Sequence, residues 1–137
     1  MRIAIKLGTA VYLMTLAASL PAAAQTTVRS YRYALETRSQ EGDYAGELAP
    51  AASVRGRRID VETDAQGRRL RITTLRNGQK IGETFYRYSG AARLPSEYDT
   101  FRAGEKTGVV RIQRDAAGQR VREDYLTAGG TLTGYGA

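Results

Sequence analysis

From Val28 onward the chain is a succession of short segments rich in Val, Ile, Thr and Tyr, in which apolar and polar residues alternate between recurring turn sequences. A period of two puts successive side chains on opposite faces of an extended strand, so this pattern drives the chain towards sheet and away from helix. The turns Asp64-Ala65-Gln66-Gly67, Asn77-Gly78 and Asp115-Ala116-Ala117-Gly118 suit the closure of antiparallel hairpins. The expected fold class is all-β: an antiparallel β-meander of stacked hairpins, as a single sheet or a small open barrel. Eight strands are expected, at 28–37, 58–64, 68–76, 80–88, 96–102, 108–115, 119–126 and 131–135. Residues 41–56, with Gly42, Gly46 and Pro50, read as the longest irregular stretch and the first candidate for a functional loop. Within it, Glu47 to Ser53 suits a single helical turn.

One hairpin sorts by polarity in a single register. A two-residue turn at Gln66-Gly67 sets Thr63 against Leu70, Val61 against Ile72 and Ile59 against Thr74 on one face. Asp64 then meets Arg69, and Glu62 meets Arg71, on the other. Val61 and Ile72 are expected to be buried, with Glu62 and Arg71 on the exposed side. Continued through Asn77-Gly78, the meander places Thr74 near Ile81 and Leu70 near Phe85, but sets Glu83 beside Ile72. At Ala117-Gly118 it pairs Val110 with Tyr125 and Arg111 with Asp124, and leaves Glu123 beside Ile112. Both registers thus put a carboxylate against a core isoleucine.

Two hairpins are alike. Asp64-Ala65-Gln66-Gly67-Arg68-Arg69-Leu70-Arg71 and Asp115-Ala116-Ala117-Gly118-Gln119-Arg120-Val121-Arg122 match at Asp, Ala, Gly, Arg, an aliphatic and Arg, and Gly78 and Ile81 fall on Gly129 and Leu132 at the same offset. A hairpin unit is therefore expected twice, near 59–83 and 110–134, with a degenerate third over 85–94. At these residues, across roughly 60–137, the chain resembles bacterial β-hairpin repeat proteins, the MORN-like variant and the YD repeats of Rhs-type proteins. Asn77-Gly78-Gln79-Lys80-Ile81-Gly82-Glu83 followed by Tyr88 is similar to the first, and Tyr86-Arg87-Tyr88 with the Asp-Ala-x-Gly turns to the second. The resemblance implies a stacked-hairpin sheet and brings no catalytic residue with it.

Residues 1–24 have the form of a signal peptide. Arg2 and Lys6 give a positive start, Leu7 to Leu20 a mostly apolar middle, and Pro21-Ala22-Ala23-Ala24 a small-residue exit, with cleavage expected after Ala24. An inner-membrane anchor is the competing reading, but Gly8, Thr9, Thr15 and Ser19 dilute a stretch that needs ~20 strongly apolar residues to span a bilayer. The expected location is the periplasm or the outside of a bacterial cell, with residues 25–137 as a single β domain. No cysteine exists to carry a lipid anchor or to form a disulfide, so packing and sheet hydrogen bonds must hold that domain together. Removing residues 1–24 lowers the basic count from 21 to 19 against 14 acids, a side-chain balance of +5. Lys80 and Lys106 are the only lysines left, so the positive surface is built from arginine, which suits carboxylates, phosphates and aromatic faces.

Histidine is absent, which removes the commonest general base, the Ser-His and Cys-His pairs and the usual zinc ligands. No catalytic residue, metal site or cofactor is expected. Asp60, Glu62 and Asp64 alternate along one strand and read as a solvated row neutralised by Arg69 and Arg71; an extended row lacks the clustered oxygens of a calcium loop. Glu41-Gly42-Asp43 with Glu47 is a second, weaker acidic cluster. Tyr31, Tyr33, Phe85, Tyr86, Tyr88, Tyr98 and Phe101 are interleaved with Arg29, Arg32, Arg87 and Arg102, a chemistry suited to binding sugars or acidic groups. Tyr86, Arg87, Tyr88, Tyr31 and Tyr33 are the candidate ligand-binding residues.

The function expected from these features is an exported, soluble, non-enzymatic envelope protein that contacts a protein or an anionic envelope polymer. Nucleic acid is not an expected partner, because export separates the protein from it. One competing reading is a small carboxylate-dependent cell-wall hydrolase, which needs two carboxyls facing across a cleft at roughly 5–9 Å. The other is an eight-stranded outer-membrane barrel, against which stand strands shorter than the ~10 residues such barrels use, charges on both strand faces and an ending, Thr133-Gly134-Tyr135-Gly136-Ala137, that lacks a terminal aromatic.

Overall fold

The computed structural model describes residues 25–34, 44–49 and 55–137; the signal segment expected at 1–24 lies outside the described residues. Nine strands form one open sheet: β1 (Thr27–Ala34), β2 (Tyr44–Leu48), β3 (Arg57–Thr63), β4 (Arg69–Arg76), β5 (Gln79–Arg87), β6 (Glu97–Arg102), β7 (Glu105–Arg114), β8 (Arg120–Thr127) and β9 (Leu132–Gly136). Every pairing is antiparallel. The order is β2-β1-β3-β4-β5-β6-β7-β8-β9, a meander from β3 onward, with β2 folded back on the outer edge of β1. The all-β expectation is met, with one strand more than expected.

The extra strand corrects the reading of residues 41–56 as irregular. Tyr44–Leu48 pairs with β1 through Tyr31↔Glu47 and Tyr33↔Ala45. Gly46 sits at φ +68 inside the strand and breaks the alternation that would have revealed it. Glu47 and Leu48 are extended and not helical, while residues 41–43 and 50–54, and with them the rest of the loop and the helical turn, lie outside the described residues.

The first hairpin has the expected register over most of its length, with Ile59↔Thr74, Val61↔Ile72 and Glu62↔Arg71. Val61 and Ile72 are buried, and Glu62 bonds Arg71 at 2.9 Å on the more exposed side. The turn itself differs. Thr63 pairs with Arg69 and not Leu70, because Gly67 at φ +77 makes a bulged turn in which the Asp64 carboxylate accepts the Gln66 and Arg68 amides. Asp64 consequently pairs with Arg68 at 2.7 Å instead of Arg69.

The conflict foreseen at Glu83 disappears through a second bulge. Between Thr74 and Leu75 the register slips, giving Thr74↔Gly82 and Ile72↔Thr84 where Ile81 and Glu83 were expected, and Arg71, not Leu70, faces Phe85. Glu83 therefore turns to the opposite face, beside Lys80 at 3.0 Å. The conflict at Glu123 is real. Val110↔Tyr125, Arg111↔Asp124 and Ile112↔Glu123 are as expected, and Glu123 is buried on the apolar face, where Arg120 Nη1 and Tyr125 Oη each donate to it at 2.7 Å.

Alternation gives the sheet two unlike faces. One carries Ile59, Val61, Ile72, Tyr86, Tyr98, Val110 and Ile112 as a single buried cluster, with Tyr31, Ala34, Tyr44 and Tyr88 packed against it. The other carries interlocked charges: Arg71 between Glu62 and Glu83, Arg87 between Glu97 and Asp99, Lys106 on Asp99 and Arg111 on Glu97. The apolar face is concave. Strands β2 and β4 are three spacings apart, roughly 14 Å in a flat sheet, yet the Arg69 guanidinium lies 5.2 Å from the centre of the Tyr44 ring.

Candidate ligand trough on the concave face

Curling of the sheet leaves a trough of about 1060 Å³ on the concave face, lined from β1 and β2 across to β7. This is slightly above the range of about 300–1,000 Å³ usual for small-molecule sites. Ile59 and Ile72 supply apolar floor, Tyr44 flanks it, and Thr74, Thr84, Thr100 and Thr107 supply hydroxyls. The threonines follow from the strand pairing: Thr84 lies opposite Thr100, and Thr100 opposite Gly108. Thr100 Oγ1 and Thr107 Oγ1 are 3.0 Å apart, and the Thr107 hydroxyl donates to the Thr100 carbonyl. Burial pushes the Tyr44 phenol up from its ordinary value, with Arg69 and Arg57 pulling the other way.

One end of this trough is basic. Arg57, Arg76, Lys80 and Arg102 all line it, and Glu83, the ion-pair partner of Lys80, is among the lining residues as well. Arg57 stands directly opposite Arg76 at the open end of the β3–β4 pair, the two-residue turn Asn77-Gly78 delivers Lys80 next to them, and Arg102 comes from the end of β6, opposite Gly82. Sequence reasoning missed this group. The signal was available, because the register inferred for Val61 and Ile72 already places Arg57 across from Arg76.

The residues expected to bind are dispersed. Tyr86 is buried, with its ring centre 5.8 Å from that of Tyr98, so it is core and not surface; burial drives its phenol far above the ordinary range. Tyr88 is half-buried on the same face, its hydroxyl donating to the Arg69 carbonyl and its ring under the Arg68 guanidinium at 4.8 Å. Tyr86 and Tyr88 do line a second hollow, with Leu94 and Pro95, but at about 130 Å³ it is below the usual size of a ligand site. Arg87 projects from the opposite face into Glu97 and Asp99. Tyr31 packs against the core cluster, 5.6 Å from Tyr44. Tyr33 pairs with Ala45 along β1, and its side chain lies outside the described residues. Alternation separates Arg87 from its tyrosine neighbours, so Tyr86-Arg87-Tyr88 is no contiguous surface.

The acidic row is engaged as a row of ion pairs, with partners partly other than expected. Arg58 Nε donates to Asp60 at 2.6 Å, Arg71 holds Glu62 and Arg68 holds Asp64. Among the described residues no group of three or more acidic side chains is placed to hold a metal ion. By its fold the chain is a single-sheet antiparallel β protein with a basic-ended trough. No family model matches it, and no curated protein or solved structure is significantly similar to it.

Proposed function

We propose that the protein is an exported, soluble, non-enzymatic binding module of the bacterial envelope, and that its concave face receives an anionic envelope polymer or an acidic segment of a protein partner. The trough, with apolar and hydroxyl lining and a basic end, is the observation that carries this reading. Support for a non-enzymatic role comes from the carboxylates of the opposite face, which lie beside arginines and lysines and not across a cleft from one another. Support for export comes from the leader-like residues 1–24. The hairpin-repeat resemblance belongs to the same proposal. The turns at Asp64 and Asp115 are built alike, each aspartate accepting two amides ahead of a glycine with positive φ.

Cell fractionation with N-terminal sequencing tests the first part: the protein is expected outside the cytoplasm, beginning at Gln25. Cosedimentation with insoluble envelope material tests the second, with retention at low salt that falls as salt screens the arginines. A cytoplasmic protein retaining Met1, or one that never associates with envelope material, would overturn the proposal.

A further inference from the structure

We infer that the basic end of the trough is a subsite for the acidic groups of a glycan, with Arg57, Arg76 and Arg102 as the anion ligands and the threonine-lined floor holding the sugar rings. The inference rests on the binding-module reading above and names its ligand class.

Many arginines of the sheet carry a carboxylate partner, whereas Arg57, Arg76 and Arg102 belong, with Arg32, Arg55 and Arg93, to those that have none among the described residues, and only the first three stand together at the trough. Arg58, Arg68, Arg71, Arg87, Arg111, Arg120 and Arg122 each lie within 4.0 Å of a carboxylate. Lys80 at the trough is likewise held by Glu83. Among the described residues no carboxylate is within ion-pair distance of Arg57, Arg76 or Arg102. Arg57 and Arg76 are directly opposed, an arrangement that repels and destabilises a strand pair. An opposed arginine pair at the mouth of this hollow, with no carboxylate beside it among the described residues, has room there for an external anion. The arginine fork accepts carboxylate or phosphate through two parallel hydrogen bonds.

The lining decides what the anion is attached to. An acyl chain laid along the trough would strip water from the Thr74 hydroxyl and from the remaining acceptor lone pairs of Thr100 and Thr107, whose hydroxyls are otherwise engaged within the sheet, without replacing its hydrogen bonds. Sugar hydroxyls replace them. The lining thus favours a chain of sugars bearing carboxylate or phosphate groups over an anionic lipid.

Calorimetric titration of the purified protein tests this with four probes: hexagalacturonate, a phosphorylated mannan oligosaccharide, neutral maltohexaose and sugar-free polyphosphate. One or both acidic glycans are expected to bind, and which one does distinguishes carboxylate from phosphate. Maltohexaose and polyphosphate are expected to bind at least about tenfold more weakly. Arg57→Gln/Arg76→Gln is expected to weaken the acidic glycan by about tenfold or more. The control Arg32→Gln/Arg93→Gln removes the same charge from exposed positions outside the trough and is expected to change it less than about twofold. Relieving the Arg57–Arg76 repulsion leaves the fold at least as stable in a thermal melt, so lost binding is not lost structure. Equal losses in the two double variants, polyphosphate binding as tightly as the glycans, or no binding of either glycan would overturn the inference. If envelope association survives Arg57→Gln/Arg76→Gln, the binding-module proposal stands and the subsite falls.

Discussion

Ala103 has the same backbone as Asn77 without the side chain that tolerates it. Both occupy the first turn position ahead of a glycine with positive φ, Asn77 at φ 49 and Ala103 at φ 50. An L-residue with a Cβ pays roughly 1–2 kcal/mol to enter that region, and asparagine less. Asn77 also accepts the Gly56 amide through Oδ1 at 2.7 Å, tying the start of β3 to the turn. Ala103→Asn is therefore expected to raise unfolding stability by about 0.5–1 kcal/mol. Urea titration checks this, and an unchanged or lowered midpoint would contradict the strained turn. The tyrosines make a second prediction at this scale. Burial raises the Tyr44, Tyr86 and Tyr88 phenols, and a hydrogen bond to Glu123 chiefly raises Tyr125. The folded state thus favours the protonated phenol. The stability this contributes is fully present below the unfolded value near 10 and is lost as pH rises through the raised folded values. Urea midpoints should fall between about pH 9 and about pH 11, and a Tyr88→Phe variant should fall less steeply. A flat profile would show that the phenols ionise alike in both states.

Hairpin turns depend on a few hydrogen bonds, and those at Asp64 and Asp115 permit a controlled comparison. Each carboxylate accepts two backbone amides, but Asp64 also takes Arg68 Nε at 2.7 Å. Arg68 Nη1 in turn donates to the Gly90 and Ala92 carbonyls, joining this turn to the β5–β6 connection. Asp64→Ala is expected to cost more than Asp115→Ala, which should lie near the ~1 kcal/mol of a lost cap-type bond. Equal losses in denaturant titrations would mean that the link to Gly90 and Ala92 adds nothing. In β7, a Cβ on Gly108 would come within 2.9 Å of the Leu126 carbonyl oxygen, which is part of the neighbouring backbone. Gly108→Ala should therefore destabilise by about 1–3 kcal/mol, by pushing β8 away. These elements also mark how far the sequence was legible. Strand positions and the central registers follow from polarity alternation, because a slip of one residue would bury charge. The bulges do not: the one between Thr74 and Leu75 shifts the partners of Leu75 and Ile81 so that Glu83 escapes the core, a choice made by neighbouring strands and invisible in one hairpin. Tyr86-Arg87-Tyr88 was legible as chemistry but not as a surface. Arg57 and Arg76 were legible as a register consequence, but the trough that gives them meaning exists only once the sheet curls.

Across the molecule, the backbone of each strand lies beside only its neighbours in the sheet, with side-chain contacts such as Arg69 on Tyr44 reaching further, so stability is distributed mainly along one dimension, as in a repeat array. The buried cluster draws on β3 to β7, whereas β9 contributes exposed Leu132 and Tyr135 and holds β8 alone. Opening β9 breaks one interface and exposes little core; opening β5 breaks two interfaces and uncovers Tyr86. Hydrogen exchange should therefore be slowest in β4, β5 and β6 and become faster towards β9, with β9 opening at a lower free energy than global unfolding. Glu123 offers an internal check, since it lies on β8 between the cluster and the edge and bonds Arg120 and Tyr125. Glu123→Ala leaves the Tyr125 hydroxyl and the Arg120 guanidinium without that acceptor, so it should accelerate exchange in β8 and β9 while leaving β4 and β5 unchanged. Uniform protection from β3 to β9, or acceleration of all strands together in Glu123→Ala, would mean that the sheet opens only as a whole. A trough spanning β1 to β7 would then hold its shape only in the intact sheet, whereas graded opening keeps the Arg57, Arg76 and Arg102 end formed while β9 frays.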